Sequence, residues 1–145
     1  MDAAWRWLGW FGLALALLGL GDILLAWIPP AFDSWQWEFG TVASTISGLP
    51  LTTIGIAGLH GSLLARHLGR PLFWASIAIT LFGALLIVLL VLFGLDIPLA
   101  LDTAQGPQSL AVKKVIARTL LLGVGFCLLY LAAGIAGLRA ARRTV

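Results

Sequence analysis

Four long apolar blocks, each of a length that crosses a lipid bilayer, constrain this chain more than any other feature. They cover residues 5–28, 41–65, 72–95 and 112–138. A helix rises about 1.5 Å per residue, so about 20 mostly apolar residues cross roughly 30 Å of hydrocarbon while satisfying their own backbone hydrogen bonds. The sequence therefore predicts one transmembrane domain over residues 1–145, an all-α integral membrane bundle of four antiparallel helices.

Proline, glycine and charged residues mark the ends of these blocks. The Pro29-Pro30 pair ends the first block, and a short charged turn over residues 66–71 separates the second from the third. The first block has an apolar core of about 20 residues, too long for a cleaved signal peptide, so it is expected to span the membrane. Asp96 and Pro98 are expected to end the third block, and Ser109 is a suitable N-cap for the fourth.

Two local features modify this plan. The connection over residues 29–40 is rich in aromatic residues and weakly charged, which predicts a short helix lying flat in the membrane interface, either as a cap on the bundle or as a docking surface. Pro50 lies inside the second block and frees a carbonyl about one turn earlier, so a kink is expected there.

The basic residues are distributed unequally between the two ends of the predicted bundle. With alternating helices, six of the nine lie at the end that carries both termini, namely Arg6, Arg66, Arg70, Arg139, Arg142 and Arg143. Positively charged helix ends stay in the cytoplasm, so this bias predicts a multi-pass cell-membrane protein with both termini cytoplasmic. No basic run is interleaved with aromatic residues, and no nucleic-acid partner is expected.

A possible internal repeat divides the chain near residue 70. Residues 22–26 resemble residues 96–100, and residues 55–59 resemble residues 134–138, in the same order in both halves. Either the chain contains two repeated helical hairpins, or the matches are coincidences in a sequence rich in small and aliphatic residues.

The second block carries small and hydroxyl side chains at helical three-to-four spacing, including Thr41, Thr45, Gly48, Thr52 and Gly55. Helices in membranes associate through close packing of small residues, so this seam is expected to be a packing face. The alternative is that its hydroxyl groups line a narrow polar path in an oligomer.

Four ionisable residues near the predicted hydrocarbon are candidates for a polar site. Asp22 is expected either at the membrane boundary or paired with Arg118 as a gate or proton-coupled site. Lys114 and Arg118 share a helical face, and they are expected to form either an anion-attracting vestibule or a pair of interfacial anchors. His60 is expected to hydrogen-bond to a neighbouring helix, with haem ligation across a symmetric dimer as the alternative.

The sequence shows no catalytic, cofactor-binding or metal-ligating constellation, and its one cysteine, Cys127, is expected to be apolar filler. It favours a non-enzymatic membrane subunit without a cofactor, surrounded by the lipid bilayer and packed with itself or with a larger membrane complex. The alternative function is a small oligomeric channel or transporter with a polar path along the second helix.

Overall fold

A computed structural model describes residues 2–32 and 34–143, and within these residues the chain is entirely helical apart from its short connections. Its four helices are α1 (Asp2–Ala26), α2 (Trp35–Ala65), α3 (Gly69–Thr103) and α4 (Pro107–Arg142). All four are long and apolar enough to cross a membrane. The prediction of an all-α, four-helix membrane bundle is confirmed.

Three helix boundaries differ most from those that the sequence predicts. α2 begins at Trp35, so residues 35–40 of this connection belong to the start of a long helix, and the described residues of the connection form no separate flat helix. α3 continues past Pro98 to Thr103, and α4 begins at Pro107 with Gly106 as its N-cap, so Ser109 lies inside the first turn. Polar residues and a proline end a helix less readily here because water beyond the hydrocarbon can satisfy a carbonyl that proline leaves free.

The helices pack as two hairpins that meet through α2. α1 lies along α2, and α3 lies along α4, while α2 also packs against α3 and α4. Among the described residues, every Cα atom of α1 lies more than 8 Å from the Cα atoms of α3 and α4. The bundle is therefore a core of α2, α3 and α4 with α1 attached to one side of α2.

The most deeply buried large side chains of the core come from these three helices, and Ile23 of α1 joins the same cluster. Phe93 and Leu86 of α3, Ile46 and Leu49 of α2, and Tyr130 of α4 are each at most 1% exposed. Phe93 also stacks on an aromatic ring of α2, that of Phe39, with 4.6 Å between ring centroids. Burial of these groups against one another fixes α2 between the two halves of the molecule.

The turn between α2 and α3 closes with a hydrogen-bonded C-cap. The Leu68 amide donates to the Leu63 carbonyl at 3.2 Å, and the His67 amide donates to the Leu64 carbonyl at 3.1 Å. His67 has a φ of 52°, the left-handed conformation that this capping motif usually assigns to glycine. His67 is exposed, so this residue serves the turn through its backbone.

The two hairpins have different registers along their helices. Asp22 lies beside Gly48 in the first hairpin, whereas Leu90 contacts Gly123 in the second, which places Asp96 level with Ala117. The sequence repeat would instead pair Asp96 with residue 127, about 15 Å further along α4. The matched segments therefore do not occupy equivalent places in the two hairpins, which is the result expected of coincidence.

We call one end of the bundle the arginine-rich end, defined by Arg6, Arg66, Arg70, Arg139, Arg142 and Arg143. All six arginines are exposed. Three tryptophans at this end are largely exposed as well: Trp7, Trp10 and Trp74. Exposed indole rings next to basic side chains are typical of a membrane interface.

Candidate functional site

The small-residue seam of α2 is a packing face covered by α1. A β-carbon added at Gly55 would lie 2.6 Å from the Gly12 carbonyl oxygen, which shows how closely the two backbones approach. Thr52 lies against Gly19 and is fully buried. Such close approach is what small residues permit between membrane helices, so the packing interpretation of the seam agrees with the structure.

The hydroxyl groups of the seam are therefore buried and do not line an open path within one chain. Thr45 donates its hydroxyl to the Thr41 carbonyl at 2.8 Å and accepts a hydrogen bond from the Trp27 indole at 3.1 Å. Thr41, Thr45 and Thr52 are all at most 5% exposed. The Trp27 hydrogen bond joins the end of α1 to α2, and none of these three hydroxyls faces a groove.

His60 lies at the junction of α2, α3 and α4. A β-carbon added at Gly137 of α4 would lie 2.7 Å from His60 Nε2 and would also meet the Ser76 hydroxyl of α3. His60 Nδ1 is buried without a hydrogen-bond partner among the described residues. The expected hydrogen bond from this nitrogen to a neighbouring helix is therefore absent from this arrangement, and Gly137 is the residue whose missing side chain makes room for the imidazole.

Ser76 does not serve as a donor to the imidazole because its own proton is engaged. Its hydroxyl donates to the Leu72 carbonyl at 2.7 Å, one turn earlier on α3. A buried polar atom without a partner costs free energy, and His60 Nδ1 shares this condition with the hydroxyl of Thr52 among the described residues.

Two apolar grooves flank His60, one on each side of α2. The α1–α3 groove has a volume of about 300 Å³ and runs between Leu13, Leu17 and Leu20 of α1 and Ala75, Ala78 and Phe82 of α3. The groove exists because α1 packs against α2 but not against α3.

The second groove lies between α2 and α4. It has a volume of about 280 Å³ and is lined by Ala57 and Gly61 on one wall and Leu129 and Ala133 on the other. His60 contributes to the lining of both grooves. The interior next to this histidine is thus reachable from two lateral directions, both of them apolar.

The charged candidates do not come together. Asp22, Lys114 and Arg118 are all exposed, and Asp22 lies on α1 whereas the two basic residues lie on α4, against which α1 does not pack. No ion pair joins Asp22 to Arg118 among the described residues, so the alternative of a paired gate stays a prediction without a contact behind it. Their exposure fits interfacial anchors, with charged heads solvated by water and lipid headgroups.

Sequence reasoning missed the polar contact between the hairpins. The hydroxyl oxygens of Thr53 and Tyr130 lie 2.7 Å apart, and both residues line the α2–α4 groove. One signal was available, since Tyr130 is the only tyrosine of the chain and lies in the middle of an apolar block, where its hydroxyl needs a partner.

Among residues 2–32 and 34–143, no three His, Cys, Asp or Glu side chains lie close enough together to hold a metal ion. No known protein family, curated protein or solved structure matches the chain.

Proposed function

We propose that the protein is a non-enzymatic membrane subunit that assembles with itself or with a larger membrane complex. The observation that carries the proposal is the α1–α3 groove. The small-residue seam of α2 is occupied by α1, so an assembly contact requires a different surface. The α1–α3 groove is the larger of the two lateral grooves beside His60.

The walls of this groove suit a helix from another chain. Ala16, Ala75 and Ala78 lie along it, and small side chains let helix backbones approach closely in a membrane. Larger side chains of a docked helix would enter between Leu17 and Phe82 and make van der Waals contacts with both walls. Van der Waals contact of this kind drives helix association where lipid offers no hydrophobic advantage.

The proposal includes an orientation in the cell membrane. All six arginines of the arginine-rich end lie at the same end of the helices, and the positive-inside rule would put this end, with both termini, in the cytoplasm. Reporter fusions after residue 143 and before residue 2 test this directly. A signal from the outside of the membrane at either position would contradict the orientation.

Photo-crosslinking in native membranes tests the assembly surface. A benzophenone side chain introduced at Leu17 or Ala78, one on each wall of the groove, is expected to give one discrete protein adduct. An adduct of twice the chain's mass indicates self-assembly, and any other mass identifies a different subunit. Leu121 is the matched control, since it is 76% exposed but lies outside both grooves.

A docked helix should also be displaced when a larger side chain of the protein itself fills the groove. Ala78→Trp is expected to abolish the adduct at Leu17, while Leu121→Trp should leave it unchanged. Equal crosslinking at Leu17 and Leu121 would contradict the proposal, because it would show contacts made by random encounter in the bilayer.

The alternative, a small oligomeric channel or transporter with a polar path along α2, needs the seam to be uncovered. Its hydroxyls face α1 in the described arrangement, so α1 would have to leave α2 before a solute could meet them. Flux of ions or small solutes through liposomes that contain the purified protein would favour this function, and silent liposomes favour the subunit.

A further inference from the structure

At the arginine-rich end, each hairpin opens into a pocket between its two helices. The α1–α2 pocket has a volume of about 340 Å³ and is lined by Arg6 and Arg66 together with Trp10. The α3–α4 pocket has a volume of about 430 Å³ and is lined by Arg70 and Arg142 together with Trp74. Each pocket thus combines two arginines, one from each side of its hairpin, with a tryptophan.

The α3–α4 pocket carries positive charge that no acidic side chain in the described part of its own hairpin offsets at this end. The acidic residues of α3, Asp96 and Asp102, lie toward the opposite end of the helix, and the described part of α4 contains none. The two guanidinium groups of this pocket are therefore available to an anion from outside the chain.

The rest of the α3–α4 pocket is apolar. Phe73 and Trp74 form its α3 wall, with their rings packed edge to face at a centroid distance of 5.8 Å. Trp74 is 68% exposed, and an exposed indole ring favours the level of the lipid glycerol and headgroup. A ligand here would meet guanidinium groups at one end and aromatic rings at the other.

We infer that the α3–α4 pocket binds the headgroup phosphate of an anionic phospholipid. Arg70 and Arg142 approach the phosphate from the two helices, and a guanidinium group presents paired N–H donors that match phosphate oxygens. The acyl chains continue along the apolar surface beside Phe73 and Trp74. Basic pockets between membrane helices are suited to anionic lipid headgroups, and this site requires only that the helices span a membrane, not that the proposed assembly exists.

Native mass spectrometry of the full chain tests the inference. The protein is released from nanodiscs made of phosphatidylethanolamine and phosphatidylglycerol, and the retained phospholipid is counted and identified. Arg70→Gln/Arg142→Gln is expected to reduce retained phosphatidylglycerol by about tenfold or more. Arg139→Gln/Arg143→Gln is the matched control, because it removes the same charge from the same end but neither residue lines the pocket.

Each outcome decides the matter. Retention by the control with loss in the pocket variant supports the site, and equal loss in both variants overturns it in favour of unspecific attraction to the charged end. Displacement of the lipid by millimolar inorganic phosphate alone would also overturn it, since the site would then be one for free phosphate. If the double variant fails to fold, Arg142→Gln alone should lower retention several-fold, and unchanged retention would contradict the inference.

Discussion

The hydroxyl groups of Thr53 and Tyr130 lie 2.7 Å apart and join α2 of the first hairpin to α4 of the second. Thr53 also donates to the Leu49 carbonyl at 2.8 Å, so its one hydroxyl proton is engaged. Tyr130 is therefore the donor between the two side chains. Tyr130 is 1% exposed, which makes this hydrogen bond a polar contact inside an otherwise apolar junction.

Tyr130→Phe removes this contact while keeping the ring that packs on Phe82. We expect the free energy of unfolding to fall by about 0.6–1.5 kcal/mol, the range for hydrogen bonds within proteins and between membrane helices. Denaturant titration in detergent measures the change. A double-mutant cycle with Thr53→Val isolates the coupling between the two side chains, and a coupling energy of zero would mean that the hydroxyls do not interact.

Three glycines of α2 differ in what surrounds them, and they form a matched series. An added β-carbon at Gly55 meets backbone atoms of α1, at Gly48 it meets the movable side chain of Ile23 at 3.3 Å, and at Gly61 it meets nothing within 4 Å. Gly55→Ala should therefore destabilise the protein by about 1–3 kcal/mol. Gly48→Ala should change stability little, and Gly61→Ala should stabilise by up to about 1 kcal/mol through helix propensity.

Thermal unfolding of the three variants in one detergent measures their order of stability. The series also bears on the wider prediction that bulk on the seam disrupts packing. If Gly55→Ala proved as stable as Gly61→Ala, α1 would not be packed against α2 at this point, and the groove between α1 and α3 would lose its structural basis.

Much of this fold follows from the sequence because membrane helices obey simple rules. Apolar length sets the number of helices, and the turn at residues 66–68 lies where Arg66 and Gly69 interrupt the apolar pattern. The packing role of the α2 seam was also predictable, since Gly55 and Thr52 recur at helical spacing. These features depend on local composition, which one sequence displays directly.

The remaining features depend on contacts between distant residues. The register of the second hairpin, fixed where Gly83 meets Tyr130, is not encoded in any local pattern. The place of His60 depends on Gly137, which lies on a different helix and in the other half of the chain. The extension of α3 past Pro98 depends on where the hydrocarbon ends, and the sequence alone does not mark that level.

His67 holds a left-handed conformation, with a φ of 52°, at the end of α2. This conformation costs a residue with a β-carbon about 1 kcal/mol or more, whereas glycine adopts it freely. His67→Gly should raise the free energy of unfolding by up to about 1 kcal/mol, reduced by the greater freedom of glycine in the unfolded chain. His67→Ala, which keeps the β-carbon, is the control and should bring no gain. A loss of stability in His67→Gly would show that the imidazole makes a contact of its own.

Asp22 and Arg118 offer a direct test of how charges are arranged around the bundle. They lie on helices that do not pack against each other, and both are exposed, so each head is solvated separately. We expect a double-mutant cycle of Asp22→Asn and Arg118→Gln to give a coupling energy within error of zero, because residues far apart without shared partners are additive within about 0.5 kcal/mol. Each single change should alter stability by about 0.5 kcal/mol or less, as surface substitutions do. A buried pair would behave differently, since removing one partner of a desolvated ion pair costs about 3–5 kcal/mol. A coupling energy above about 1 kcal/mol would therefore mean that α1 approaches α4 in the membrane, and the open groove between α1 and α3 would be closed in the working protein.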